Sequence, residues 1–292
     1  MHGSDRLCEY SIVDSQAVED LIFVLNRKMS VIHRYSQLIE AKLIKRYKRF
    51  LCDVELESGQ VVVSYLANPG SMLGMCVYGA QLRLSTHGTS SKRKHQYTVE
   101  AIKIGNVWIG CNTMLANKIV YQILTNRNVD IGNFDLLKPE WKSGSSRFDF
   151  AMFRDNKILK VVEVKTVTMS SDWFDVETST MSAREKQRKI PSQRPDECRL
   201  KSVALFPDCE STRATRHLVH LANLGYDACL IYFVSRGDVH AVQPSKECDP
   251  DYFNTFNTLV GKGSIQAISL IVDFQVEMAS DAKLVLLDVL YK

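Results

Sequence analysis

Three charged residues, Asp149, Glu163 and Lys165, stand inside two strongly apolar segments that a short polar turn separates. The segments run from Ser146 to Lys165, and the turn between them reads Arg-Asp-Asn-Lys. Side chains alternate between the two faces of a strand, so Glu163 and Lys165 share one face while the neighbouring valines point into a core. Charges are costly to bury unless they are paired or bound. The pattern therefore predicts a β-hairpin that carries a site on one face.

The expected pairing of this hairpin brings its two acids together. A hairpin centred on Asn156 places Asp149 opposite Glu163, with Cβ atoms about 4.5–5.5 Å apart. The preceding strand ends in the turn Lys-Ser-Gly-Ser-Ser-Arg, and a centre within that turn places Glu140 opposite Asp149. We therefore expect the three acids in a row across three antiparallel strands, with Lys165 at its edge.

Such a row of carboxylates has a chemical interpretation. Hard oxygen ligands on a rigid sheet suit Mg²⁺ or Mn²⁺. A metal of this kind orients a phosphate and activates water, and a nearby lysine stabilises the charge that develops on the phosphorus. These are the parts needed to hydrolyse a phosphodiester. The alternative is that Glu163 and Lys165 form only a solvated ion pair on an exposed sheet face.

The first half of the chain is more basic than the rest. Residues 41–103 contain ten basic and four acidic residues, a net charge of +6, whereas all 292 residues carry only +4. About five short β-rich segments in residues 41–111 predict a small barrel such as an OB-fold, which often binds nucleic acid. Solvated surface charge is the alternative for the basic residues. The predicted nucleic-acid contacts are Arg46, Tyr47, Arg49, Lys92, Arg93, Lys94, Arg213 and His217.

The remaining chain divides into three parts. Residues 1–40 have apolar residues at helical spacing, from Val18 to Ile32, and are predicted to be an N-terminal extension that is helical in part. Residues 112–292 mix helices and strands around a long polar insertion at 170–202. Apolar runs too short for a bilayer, and eight scattered cysteines without a C-x-x-C motif, predict a cytoplasmic or nuclear protein. A homodimer is one possible state.

Seven sequence blocks, in this order, resemble the sugar fermentation stimulation protein A (SfsA) family. They are "LIKRYKRFLCDVEL", "NPGSM", "SKRK", "CNTMLAN", "SRFDF", "VVEVKTVT" and "FPD", and the resemblance runs from Leu43 to the C-terminus. It implies an N-terminal OB-fold, a C-terminal domain similar to PD-(D/E)XK nucleases with a mixed sheet and flanking helices, and DNA binding. The segment between the last two blocks is longer here than in typical bacterial members.

The resemblance also implies roles for single residues. Asp149 matches the central aspartate of the nuclease motif, Glu163 its second acid and Lys165 its lysine. Glu140 falls where the family tends to have an acid. In related nucleases the backbone carbonyl after the second acid also binds the metal, and here that residue is Val164.

Two functions remain open. The first is a Mg²⁺-dependent nuclease that acts on DNA or, alternatively, RNA, with Glu140, Asp149, Glu163 and Lys165 as catalytic residues. The second is a DNA-binding transcriptional regulator that keeps a nuclease-like fold and does not cut. The complete set of acids and lysine favours the nuclease, because a pure binder gains nothing from carboxylates near phosphates.

Overall fold

The computed structural model describes residues 30–88, 93–173, 202–275 and 282–291. Within these residues the chain forms three sheets. The strands are β1 (Ser30–Arg34), β2 (Leu38–Tyr47), β3 (Leu51–Leu56), β4 (Val61–Tyr65), β5 (Gln81–Thr86), β6 (Tyr97–Ile104), β7 (Val107–Gly110), β8 (Leu136–Ser143), β9 (Ser146–Arg154), β10 (Lys157–Val167), β11 (Met169–Ser170), β12 (Val203–Phe206), β13 (Asp227–Val234), β14 (Ala241–Pro244), β15 (Gln266–Gln275) and β16 (Lys283–Tyr291). The helices are α1 (Thr113–Thr125), α2 (Thr212–Ala222) and α3 (Pro250–Gly261).

The basic first half forms the predicted barrel. Its strand order is β4-β3-β2-β5-β6-β7, and a parallel contact between β4 and β6 closes it. Alternation along the strands directs one set of apolar side chains inward. The buried core includes Leu43, Val54, Leu82, Leu84 and Ile102. The OB-fold predicted for this part of the chain is confirmed.

The second half is built on a seven-stranded mixed sheet. Its strand order is β1-β16-β15-β13-β10-β9-β8, in which β10, β13 and β15 run parallel and the outer strands antiparallel. Helix α1 packs on one face and helices α2 and α3 on the other, so the central strands are buried on both sides. β11, β12 and β14 form a third, smaller sheet. The predicted mixed sheet with flanking helices is confirmed.

The segment before the barrel differs from the prediction. Residues 30–34 form strand β1, which pairs antiparallel with β16 at the edge of the large sheet. Ile32 therefore lies on a strand, because pairing with an available sheet edge overrides helical spacing. The other residues of that predicted helix lie outside the described residues, as does most of the insertion at 170–202. None of the helices in the described segments is long and apolar enough to cross a membrane.

Candidate functional site

Strands β9 and β10 form the hairpin that the sequence predicts. Its turn has two residues, Asp155 and Asn156, with φ angles of 50° and 61°, as a type I′ turn requires. Leu159 then stands unpaired as a bulge, and the pairing shifts by one residue. The shifted register, continued one position beyond the ladder, sets Asp149 opposite Glu163. The bulge therefore restores the alignment that a turn centred on Asn156 would give.

Asp149 is held at the point where the two strands part. Its Oδ1 accepts a hydrogen bond from the side-chain amide of Asn117 at 2.5 Å, and its Oδ2 accepts one from the Val164 backbone N–H at 2.7 Å. Burial and then the nearby charge of Glu163 raise the pKa of Asp149 to about 6. Asp149 therefore gives up its proton only as the pH approaches neutrality.

Glu163 is more deeply buried, with 5% of its surface exposed. Its Oε1 accepts from Lys165 Nζ at 2.6 Å and lies 3.1 Å from His217 Nδ1. Burial opposes ionisation, but Lys165 and His217 outweigh it and hold the pKa of Glu163 below its usual value. Its Oε2 is buried without a hydrogen-bond partner among the described residues. One oxygen of an ionised carboxylate is thus left without compensation.

Asn117, Asp149, Glu163 and Lys165 line a cleft of about 440 Å³ between the barrel and the large sheet. The carboxylates and Lys165 lie on strands β9 and β10. Arg49 and the loop 68–70 form the barrel side, while Arg213, the end of β12 and the loop 207–209 form the other side. Both arginines are exposed. The cleft therefore combines one buried and one half-buried carboxylate with a cation on each side.

Glu140 lies apart from this cluster. By register Glu140 lies opposite Asp149, as predicted. The two residues do not form a pair in the β8–β9 ladder, and the φ angle of Glu140 is 55°. Its Oε2 accepts from Arg147 Nε at 2.8 Å, and both side chains are exposed. A left-handed residue breaks the alternation on which the prediction depended. Among the described residues no group of three acidic, histidine or cysteine side chains is arranged to hold a metal.

Two predicted nucleic-acid contacts on β2 have internal partners instead. Arg46 donates to three backbone carbonyls of the loop 68–71 at 2.8–2.9 Å and to the carbonyl of Arg49 at 3.0 Å. Four of its five N–H groups are thus engaged. The Tyr47 hydroxyl donates to Asp53 at 2.8 Å. Arg46 therefore holds the loop at the cleft rather than presenting its guanidinium to a phosphate.

The remaining predicted contacts fall into two places. Arg49 and Arg213 line the cleft, whereas His217 is buried and pairs with Glu163 rather than facing solvent. The basic loop tip is separate: Arg93 Nη1 lies 2.7 Å from His87 Nε2, Lys94 is exposed, and Lys92 lies outside the described residues.

Sequence reasoning missed two residues that shape the cleft. Asn117 orients Asp149. Asp208 joins the two sides of the cleft: its backbone carbonyl accepts a hydrogen bond from the Ser71 hydroxyl at 2.7 Å, and its carboxylate accepts one from the Met72 N–H at 2.8 Å. A Cβ on Gly70 would lie 2.6 Å from Asp208 Oδ2, so the close approach requires glycine. Their signal was present in the blocks "CNTMLAN", "NPGSM" and "FPD", which the fold brings together.

Comparison with known proteins agrees with these blocks. A family model described as "SfsA N-terminal OB domain" matches residues 44–111. One described as "Sugar fermentation stimulation protein RE domain" matches 114–177 and 197–277.

Whole relatives align as well. A sugar fermentation stimulation protein homolog of Synechocystis sp. is 34% identical over 242 residues, which cover 80% of this chain and 90% of that protein. The homolog of Crocosphaera subtropica is 32% identical over 80% of this chain and 88% of its own. The solved structure of Pyrococcus furiosus SfsA in complex with Ca²⁺ matches with a TM-score of 0.66 at 18% identity, over 90% of this chain and 96% of that one. The chain belongs to the sugar fermentation stimulation protein family.

Proposed function

We propose that the cleft binds a divalent cation, Mg²⁺ or Mn²⁺, and hydrolyses phosphodiester bonds of nucleic acid. The observation that carries the proposal is the buried Oε2 of Glu163, which lacks a partner among the described residues. An ionised oxygen left unpaired in a protein interior is strongly disfavoured. A bound cation would supply the missing partner.

The donors fit a small, hard cation. Mg²⁺ is commonly held by one or two carboxylates, with waters and substrate phosphate completing its shell. Asp149 and Glu163 supply those two carboxylates, and the Val164 backbone carbonyl is the further proposed ligand. The P. furiosus relative was solved with Ca²⁺, a cation that also prefers oxygen ligands.

Each side chain of the cleft then has a role. A bound metal, held by Asp149 and Glu163, would supply Lewis acidity towards the phosphate oxygens. Lys165, held 2.6 Å from Glu163, places a positive charge where negative charge grows in the transition state. His217 helps to keep Glu163 ionised. Arg49 and Arg213 hold phosphates on either side of the cleft.

A second candidate is a nucleic-acid-binding regulator that does not cut. One observation favours it: Glu140 lies outside the cluster, so two carboxylates meet rather than three. Fewer charged ligands give a weaker metal site. In this case the cleft would bind a phosphate backbone without hydrolysing it.

A cleavage assay separates the two candidates. Wild-type protein is incubated with single-stranded, duplex and branched DNA and with RNA, in Mg²⁺, Mn²⁺ or EDTA. We expect metal-dependent cleavage that falls at least about 100-fold in Glu163→Ala, because a metal ligand is lost. Binding in EDTA should change little.

The control is Glu57→Ala, which removes an exposed carboxylate from a barrel turn. It should cleave like the wild type. Equal cleavage by wild type and Glu163→Ala would refute the assignment of the site. Absence of wild-type cleavage on every substrate would favour the regulator.

A further inference from the structure

An aromatic pair lies next to the cleft on the outer face of the barrel. The rings of Phe50 and Tyr65 stack with centroids 6.2 Å apart and an interplanar angle of 27°. Both are half-buried. In the ladder Tyr65 pairs with Leu51, which pairs with Tyr47, so these three form a row across β4, β3 and β2. The row adds Leu51 and Tyr47, both half-buried, to the surface that carries the ring pair.

Arg49 connects this surface to the cleft. Its guanidinium carbon lies 5.6 Å from the Phe50 ring centroid, and its Nε donates to the Pro69 carbonyl at 2.9 Å. The same side chain lines both the cleft and an adjoining cavity of about 390 Å³. A ligand that crosses the ring pair therefore meets a cation on its way to the carboxylates.

The charge around the ring pair suits a polyanion. Lys45 and Lys48 are exposed on the same barrel segment. The nearby acid Asp53 is paired with Lys45 at 3.2 Å and accepts from Tyr47. Stacking rings flanked by cations are the usual means of binding a strand whose bases are unpaired.

The shape of the cleft favours the same class of ligand. Asp208 ties the loop that contains Ser71 and Met72 to the far side, so this part of the rim is closed by hydrogen bonds. Glu163 lies inside with 5% of its surface exposed. A cleft of about 440 Å³ has the volume of an ordinary small-ligand pocket. A single strand is thinner and more flexible than a double helix, so it can bring a phosphate to a buried carboxylate with less rearrangement.

We infer that the site takes single-stranded nucleic acid, with bases stacked on Phe50 and Tyr65 and the backbone led past Arg49 into the cleft. The inference rests on the proposed function, because it names the form of the nucleic acid that reaches the carboxylates. The competing explanation is that the ring pair serves only the packing of the barrel.

The test measures binding in EDTA by fluorescence anisotropy, so that cleavage plays no part. The probes are oligothymidylate and oligouridylate of about twelve nucleotides, within the range of OB-fold site sizes, and a DNA duplex of equal length. The test protein is a double variant, Phe50→Leu with Tyr65→Leu, which keeps apolar side chains at both positions and lacks the two rings. Tyr78→Leu is the control, since Tyr78 is 80% exposed on the same barrel and lines neither cavity.

The wild type should bind a single strand at least about tenfold more tightly than the duplex, and the double variant should lose about tenfold or more on the single strand. The control should bind like the wild type. The two oligonucleotides report whether DNA or RNA is preferred. Duplex binding as tight as single-strand binding overturns the inference without the use of any variant. Unchanged single-strand binding in a folded double variant, checked by circular dichroism, overturns it too.

Failure of the inference and failure of the proposed function have different results. Tight duplex binding together with metal-dependent cleavage would support the hydrolytic site and refute the single-strand inference. Single-strand binding that depends on the two rings, without cleavage in any metal, would support the single-strand inference and refute the proposed hydrolysis.

Discussion

Asp149 is a residue of the cleft whose ionisation opposes folding. Its pKa is raised from 3.8 to about 6 in the folded protein. A raised folded-state pKa adds stability below the unfolded value, and this contribution is lost as the pH rises through about 6. Asp149→Asn should therefore stabilise the protein at pH 8, by about 2 kcal/mol, and by much less near pH 4.

Thermal unfolding in EDTA across this pH range measures the difference between variant and wild type. The substitution keeps the shape of the side chain, and Asn117 can turn its amide to satisfy the new donor. A difference that does not vary with pH would contradict the raised pKa. With Mn²⁺ added the wild type should become more stable than Asp149→Asn, because only the wild type keeps the carboxylate that the proposed metal needs.

The sequence predicted the positions of single residues well where alternation and turn chemistry decide the outcome. Asp149, Glu163 and Lys165 follow from the period of two and from the Arg-Asp-Asn-Lys turn. The contacts of Arg46 could not be predicted, because three of the four carbonyls that it binds lie more than twenty positions away in the chain. Asn117 escaped for the same reason: only the packing of α1 brings it to Asp149.

At the scale of elements, strand β8 offers a test of where the site ends. Glu140 is exposed and pairs with Arg147 on the neighbouring strand. Surface ion pairs contribute about 0–1 kcal/mol. Glu140→Gln should therefore lower the free energy of unfolding by less than about 1 kcal/mol. It should leave Mn²⁺ affinity and cleavage within about twofold of the wild type, whereas Asp149→Asn should lose Mn²⁺ binding.

Isothermal calorimetry with Mn²⁺ compares the two variants directly. If Glu140→Gln lost as much affinity as Asp149→Asn, the row of three acids expected from the sequence would be restored. The sequence does place Glu140 in the correct register, since the turn between β8 and β9 is symmetric about its predicted centre. It does not reveal that one left-handed residue takes the side chain out of the row.

Strand β1 shows a second limit at this scale. The helical spacing of residues 18–32 is genuine as a pattern, but a pattern of apolar residues does not encode which sheet edge is available nearby. The long-range pairing with β16 decides the structure of residues 30–34, and local propensity is weak beside such context.

For the whole molecule, the feature to perturb is the joint between the two sides of the cleft, which consists of the hydrogen bonds of Asp208 with Ser71 and Met72. Gly70→Ala places a Cβ 2.6 Å from Asp208 Oδ2, so the two loops must move apart. We expect a loss of about 1–3 kcal/mol in stability and a fall in cleavage, because Arg46 and Arg49 both bond to carbonyls of the displaced loop.

Urea unfolding and the cleavage assay report these two effects. Gly261→Ala is the matched control, since its added methyl meets no atom within 4 Å and α3 ends there. The control should be neutral. If Gly70→Ala also left stability and cleavage unchanged, the two loops could move apart without any effect on the cleft.

The order of strands has a consequence for how the molecule can be divided. The barrel lies in the chain between β1 and the rest of the large sheet, so it is inserted into the second domain and anchored by two peptide connections. Neither family match includes β1 or β16, although β1 covers the outer edge of β16. A fragment cut at the apparent boundary near residue 112 would expose that edge as an open template for strand addition, and aggregation of the isolated half would follow.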